Sequence, residues 1–431
     1  MPGGGHLLRG RRPAGVEGLH RRQLQVLRGP GLARGRLQDR QDRQGRAVRR
    51  QPAAAGVGAL STHVARAGRR SLAAGLPDFP WDTLEPAKTR ASAHPDGLVD
   101  LSIGTPVDPV APVIQQALAD AADAPGYPLT MGNPRLRAAL HAYVTRTCSA
   151  PDGFGAIPSI GSKELVAWLP TLLGLGAGDT VVIPGVCYPT YEVGARLTGA
   201  TVVRADTPPA EPAALVWLNS PGNPHGRVLS LDEMRTWVAW ARSVDAVIAS
   251  DECYINLPWE QTPVSVLDPA VNDGDLTGLL AVHSLSKRSN LAGYRAGLVA
   301  GDPGLIAEIL AVRKHAGMIT PEPVQAAMVA ALSDDEHVHL QRERYAARRT
   351  TLRTAAEQAG FRVEHSTAGL YLWLTRDEEC WKTVEWFAER GILVAPGSFY
   401  GPAGDRFVRV ALTATDERVR AAVHRLSSST S

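Results

Sequence analysis

Lys287 stands in the string His283-Ser284-Leu285-Ser286-Lys287, directly after the apolar run Gly278 to Val282. Arg295 follows it by eight residues, across the Gly-rich turn Ala292 to Gly297. A lysine at a strand end can form a Schiff base with an aldehyde. The hydroxyls of Ser284 and Ser286 and the Arg295 guanidinium can hold a phosphate. These residue types in this order therefore suit a ligand that joins an aldehyde to a phosphate. A lysine after a strand is more often a solvated loop residue, and so short a string is weak by itself.

Two further groups strengthen the reading. Asn219 to Gly226 follows the apolar run Ala213 to Leu218, and Asp251-Glu252-Cys253-Tyr254 follows the run Ala246 to Ala249. Each run reads as a buried strand closed by a turn. A helical pattern lies between them, from Leu231 to Arg242, with Leu231, Met234, Trp237, Val238 and Ala241 on one face. Strand, helix, strand at this spacing implies parallel pairing, and open parallel sheets bind ligands at the carboxyl ends of their strands. Asn223, Asp251, Tyr254 and Lys287 are thus expected at one sheet edge. The cofactor that answers to an aldehyde, a phosphate and a nearby acid is pyridoxal 5'-phosphate (PLP). Asp251 would keep its pyridine nitrogen protonated. Asn223 and Tyr254 would donate to its 3'-oxygen. Lys287 would hold it and then, once displaced, move a proton at the substrate carbon.

The set Asn223-Pro224-His225-Gly226, Asp251-x-x-Tyr254, Ser284-x-x-Lys287 and Arg295 resembles the class I aminotransferases of PLP-dependent transferase fold type I, from about Leu76 to the C-terminus. The strings Asp100 to Pro109, Ala311 to Gly317 and Gly391 to Gly397 resemble the actinobacterial N-succinyldiaminopimelate aminotransferases of lysine and diaminopimelate biosynthesis. The resemblance implies further roles. Ser162 and Lys163 would open a helix at the cofactor phosphate, where backbone N–H groups suit an anion. Tyr188 would stack on the pyridine ring. Tyr127 would reach the phosphate bound by a neighbouring subunit, which implies a homodimer. Gly104 would let backbone close over the substrate. Arg409 would grip the substrate α-carboxylate, a task for a bidentate fork. The implied substrates are amino and 2-oxo acids, with glutamate and 2-oxoglutarate as one pair and a succinylated amino-keto acid in the other. His225 stands where the family usually carries a small hydroxyl residue. For the distal part of the substrate, the segments Arg313 to Thr320 and Ile103 to Val107 are candidates, with Arg313 or Lys314 as a cation for a succinyl group.

The implied fold is α/β, with a large PLP-binding domain over 125–323 whose mostly parallel central sheet is flanked by helices. A smaller α+β domain would combine 76–124 with 324–431. One long helical pattern runs from Pro323 through Leu332 to Ala359. Strands are expected at Tyr371 to Leu374 and Phe407 to Leu412, and helices at Trp381 to Arg390 and Glu417 to Leu426. Cys148, Cys187, Cys253 and Cys380 lie far apart with no Cys-x-x-Cys spacing, against both a zinc site and a disulfide framework. No run approaches a membrane span. A cytoplasmic enzyme without a metal is the expectation.

The formal net charge of +3 conceals a basic head and an acidic remainder. Residues 1–70 hold sixteen Arg, no Lys, and only Glu17, Asp39 and Asp42 as acids. They contain no Phe, Tyr, Trp or Ile, and they are expected to be disordered. Without aromatic interleaving they do not read as a nucleic-acid arm, and with a single Ser they do not read as a transit peptide. Their Arg, Gly and Ala excess suits a GC-rich frame translated from a start placed too far upstream. A PLP-binding regulator would need a folded DNA-binding module there, which this composition does not offer. Another class I aminotransferase (for aspartate, alanine or aromatic substrates) or a PLP β-lyase would share the same central residues.

Overall fold

The computed structural model describes residues 71–427. The expectations for residues 1–70 lie outside the described residues.

Strands occur in chain order as β1 (Val99–Asp100), β2 (Gly155–Ile160), β3 (Thr180–Ile183), β4 (Thr201–Arg204), β5 (Leu215–Asn219), β6 (Val247–Asp251) and β7 (Leu279–Ser284). They continue as β8 (Ala296–Gly301), β9 (Arg362–Glu364), β10 (Tyr371–Thr375), β11 (Ile392–Leu393), β12 (Ala395–Pro396) and β13 (Val408–Ala411). A seven-stranded sheet has the order β2-β8-β7-β6-β5-β3-β4. Its pairings from β7 to β4 are all parallel, and β8 runs antiparallel to both β7 and β2. The antiparallel β8 matters for the site. Its amino end, just after Arg295, lies at the same edge as the carboxyl ends of β2, β5, β6 and β7. Five catalytic-type segments distant in sequence therefore meet along one rim.

Both faces of this sheet are covered, which is why its strands read as continuous apolar runs. Alternate residues enter different cores. Val216, Leu218 and Ile248 pack with Met234, Trp237 and Val238 of the helix Leu231–Val244. Leu215, Trp217 and Ala249 pack with Leu165, Leu169 and Tyr191 on the other face. The Leu231–Val244 helix begins with a reciprocal capping box between Ser230 and Glu233, a device worth about 1 kcal/mol.

A separate four-stranded antiparallel sheet, β12-β13-β10-β9, has its own core of Tyr371, Leu372, Val384, Phe387 and Val410. The C-terminal strands and helices fall where the pattern placed them, within about two residues. The single long helix expected from Pro323 to Ala359 is a correction. Two helices, Glu322–Ser333 and Glu336–Gln358, replace it. The break falls at Asp334, whose backbone is extended and whose carboxylate accepts from the backbone N–H groups of Glu336 and His337. Asp335 beside it takes the Arg288 guanidinium and lies 3.1 Å from Arg146. Helical periodicity is blind to such a break because both halves keep their apolar stripe.

Candidate active site

The rim encloses a cavity of about 410 Å³. Lys287, Asp251, Tyr254, Asn223, Ser162, Lys163, Tyr188, Ser284, Arg295, Gly104 and Arg409 all line it. Tyr127 does not: it is 99% exposed.

At the inner end, Asp251 closes β6 and is buried. Tyr191 donates its hydroxyl to Asp251 Oδ2 at 2.7 Å, and the Cys253 backbone N–H donates to Oδ1 at 3.1 Å. Burial raises the Asp251 carboxyl above its ordinary value, and these hydrogen bonds oppose that rise. The Asn219 side-chain amide ties this corner together. Its Nδ2 donates to the Asp251 carbonyl at 2.9 Å, and its Oδ1 accepts from the Asn223 N–H at 2.8 Å. Asn223 Oδ1 in turn accepts from Arg409 at 3.0 Å, which leaves the Asn223 Nδ2 donor for the cavity.

Arg409 projects from β13 and is 3% exposed. Its Nη2 donates to the Ser102 carbonyl at 2.5 Å, and its guanidinium lies 4.0 Å from the centre of the Tyr371 ring. Its Nε has no partner. No carboxylate pairs with it among the described residues. Burial opposes the Arg409 charge, but Tyr400, Tyr371 and Tyr254 more than offset that and hold it above its usual value. A buried cation with only neutral partners is a site for an anion. The Ser102–Gly104 segment is fixed from behind: Thr413 donates to the Ile103 carbonyl at 2.9 Å, and Asp108 is forked by Arg348 with two contacts of 2.7 Å.

Lys287 lies in the short helix Leu285–Arg288 and donates to the Gly104 carbonyl. Burial lowers its ammonium below the ordinary lysine value, and Arg409 and Arg295 push the same way. Gly104 is required here, because any Cβ would overlap the Tyr371 hydroxyl. Tyr254 and Tyr371 share a hydrogen bond of 3.0 Å. Burial raises Tyr254 well above its normal value. Burial also works to raise Tyr371, but Arg409 and Lys287 outweigh it and bring that phenol below normal. Either hydroxyl can be the donor of the pair, so the Tyr254 proton is not committed to Tyr371.

At the other end, Ser162 and Lys163 open the helix Ser162–Leu172 after Gly161, which has φ +74. A Cβ at Gly161 would strike the Arg295 guanidinium. Desolvation and then Arg295 lower the Lys163 ammonium, a mark of two cations held side by side. Ser284 accepts from the Ser286 N–H at 3.2 Å. Two cations, three hydroxyls and a helix start, with the glycine cradle between them, fit a phosphate. The acid at the opposite end fits a pyridine nitrogen. The residues present therefore match the two ends of PLP.

The surroundings of Cys187 and Cys253 disfavour the thiolate. Burial pushes Cys187 up to about 12 and Cys253 well above its ordinary value. His225 lies outside the cavity, and burial lowers it to about 3, so it is neutral. The distal segment 313–320 is a second correction. Arg313 is fully buried and paired with Glu164 at 3.0 Å, and neither it nor Lys314 lines the cavity. Ile103 and Thr105, from the other candidate segment, do line it. Sequence reasoning missed Tyr191, Asn219, Tyr371, Phe79 and Trp81. Tyr191 had a signal, one helical turn after Tyr188. Tyr371 had none, since it sits in an apolar strand and reads as core.

Comparison with known proteins bears on this geometry. Residues 96–426 match the family model described as aminotransferase class I and II. A probable aminotransferase of Mycobacterium tuberculosis is 58% identical, over 96% of this chain and 100% of that protein. That match takes in part of residues 1–70. The 4-dedimethylamino-4-oxo-anhydrotetracycline transaminase OxyQ of Streptomyces rimosus is 59% identical, over 82% of this chain and 99% of its own length. An aminotransferase structure from Neisseria meningitidis superimposes with a TM-score of 0.74 at 31% identity, over 83% of this chain and 99% of the other. With PLP as its cofactor, the chain belongs to the class I and II aminotransferases.

Proposed function

We propose that this chain is the aminotransferase acting between N-succinyl-LL-2,6-diaminopimelate and 2-oxoglutarate. The observation that carries amino-acid chemistry is Arg409, a buried guanidinium with no carboxylate partner among the described residues, close to the Lys287 amine. It holds the α-carboxylate and so aims the α-carbon at Lys287. PLP, when bound, supplies the electron sink for the carbanion at that carbon. Lys287, kept readily deprotonated by burial, takes and returns the proton. Asp251 holds the proton on the ring nitrogen. Tyr188 covers the ring, and Asn223 and Tyr254 donate to its oxygen. Ser162, Lys163, Ser284 and Arg295 hold the phosphate, joined by Tyr127 from a second copy in a homodimer. In this reading 125–323 is the PLP-binding domain, and 76–124 with 324–431 forms the smaller one.

For the substrate, the support is the outer wall. Phe79, Trp81 and Ile103 extend the cavity beyond the reacting groups. The Lys163 ammonium, assigned above to the phosphate, sits 5.5 Å from the Phe79 ring centre, so this wall begins next to the phosphate site. An LL-diaminopimelate aminotransferase from Gloeobacter violaceus is 30% identical over 81% of this chain and 95% of its own length, which supports a long diamino acid. A second reading follows from the aromatic pair itself, with ring centres 5.6 Å apart. It would suit a flat polycyclic ketone of the kind named for the Streptomyces rimosus relative. Steady-state rates with glutamate as donor distinguish the two. A kcat/KM for the succinylated keto acid at least about tenfold above other 2-oxo acids is expected. A preference for polycyclic ketones would replace that substrate and keep the chemistry. No described helix is long and apolar enough to cross a membrane.

A further inference from the structure

Behind Asp251 and Lys287 the strand ends enclose a second group of ionisable side chains that the chemistry above leaves unused. Glu252 directly follows Asp251, and His283 is the penultimate residue of β7, just before Ser284. Their side chains are 0% and 2% exposed and lie 3.1 Å apart. The Glu252 backbone N–H also donates to the Val282 carbonyl at 2.9 Å, so the pair spans β6 and β7 at the level of the site.

The hydrogen bonds constrain where the protons sit. The Tyr143 hydroxyl donates to Asn256 Oδ1 at 3.1 Å. A hydroxyl has one proton, so its 3.1 Å contact with His283 Nδ1 requires an N–H on that nitrogen. His283 Nε2 faces Glu252 Oε2 at 3.1 Å and carries a proton as well where Glu252 is the carboxylate. Glu252 Oε1 accepts from the Val266 N–H at 2.8 Å. Nothing in the set is left without a partner.

We propose that His283 is held as an imidazolium paired with Glu252, and that this pair is a positioning device that sets the spacing of Asp251 and Lys287 and favours the charged form of Asp251. Tyr143 and Cys148 face the ring from the helix Pro134–Cys148, and the Arg288 guanidinium lies 5.3 Å from the Tyr143 ring centre. Burial works against the His283 charge, while Tyr143, Cys148 and Glu252 hold it well above the ordinary histidine value. Its charge in turn counters the rise that burial imposes on Asp251. Cys148, Glu252 and His283 place ligand atoms within 4.8 Å of one another, as a metal site would. A metal there would have to displace the Nε2 proton, so the two occupancies are mutually exclusive.

The existence of the pair is independent of the proposed substrate, and only its effect rests on Asp251 as partner of the ring nitrogen. The test begins with cofactor-free full-length protein labelled with ¹⁵N-histidine. One ring with two slowly exchanging N–H protons is expected, unchanged from about pH 6 to about pH 9 and absent in His283→Gln. If His283→Gln does not fold, Glu252→Gln serves, and its ring should titrate to the neutral form within that range. In the PLP-loaded protein, either variant should raise the midpoint of the cofactor's pH-dependent absorbance change by about one unit, a tenfold change in proton affinity. It should lower kcat several-fold with little change in KM. A singly protonated ring in the parent protein, or stoichiometric zinc lost in Cys148→Ser, would overturn the imidazolium. An unmoved absorbance midpoint in the variants would overturn the positioning role. If Asp251→Asn also leaves the midpoint unmoved, the fault lies with the assignment of Asp251 and not with the pair.

Discussion

The two ends of the cavity are built on opposite plans. Around Asp251 the protein provides its own partners: Tyr191 and the Cys253 N–H on the carboxylate, and Asn219 on the carbonyl. Around Arg409, Arg295 and Lys163, cations face the cavity with carbonyls, hydroxyls and rings and, among the described residues, no carboxylate. The acidic end is complete before any ligand arrives. On the proposed reading, a phosphate completes Lys163 and Arg295, and a substrate carboxylate completes Arg409. In the same reading, Asp251 is preorganised for the cofactor ring, while Arg409 is satisfied by whichever substrate carboxylate enters.

The largest effect is expected between the two ends. Lys287→Ala should lower turnover by at least roughly 10⁴-fold and remove the absorbance of covalently attached cofactor, read in one titration. Retained turnover would end the proposed chemistry. Arg409→Ala should break the substrate side of the cationic plan. Losing a charge-assisted fork predicts a fall of roughly 10² in kcat/KM for both amino-acid substrates, and Arg409→Lys should recover only part of it. Equal loss with a substrate lacking the α-carboxylate would show that Arg409 acts in another way.

Tyr191→Phe tests the acidic end. Burial raises Asp251, and the Tyr191 hydrogen bond opposes that rise, so its loss must raise the carboxyl further. The acid limb of the rate profile should move to higher pH, with kcat down by about tenfold. A limb that moves down, or stays, contradicts the geometry. The smallest effect belongs to the outer wall. Phe79→Ala should raise KM several-fold for the long substrate, about 1 kcal/mol of lost contact, and leave glutamate unchanged.

Much of this was legible in the residues because motif and topology coincide. Apolar runs ending in Asn219, Asp251 and Ser284 gave both the strands and the places where chemistry collects. Arg409 and Tyr188 needed the family resemblance, since a strand arginine and a loop tyrosine look alike in any protein. The contacts of Tyr371 and Asn219 could not be read. Their roles arise from side-chain contacts across 117 positions, for Tyr371 with Tyr254, and 32, for Asn219 with Asp251, and no periodicity encodes those. Arg313 was misjudged for a related reason. Its charge suggested a substrate partner, but Glu164 on a distant helix already neutralises it. The helix break at Asp334 escaped because a two-residue interruption leaves the apolar stripe intact.

The central claim is that this cavity transfers an amino group through PLP, with Arg409 holding the donor's carboxylate and the outer wall accepting a succinylated chain. The most direct measurement follows the absorbance of the PLP-loaded protein as N-succinyl-LL-2,6-diaminopimelate is added, and then 2-oxoglutarate. The account predicts conversion of the cofactor to its amine form with the first and full return with the second. No conversion with this donor, while glutamate alone converts it, would contradict the proposed substrate. No conversion with any amino acid would contradict the account as a whole.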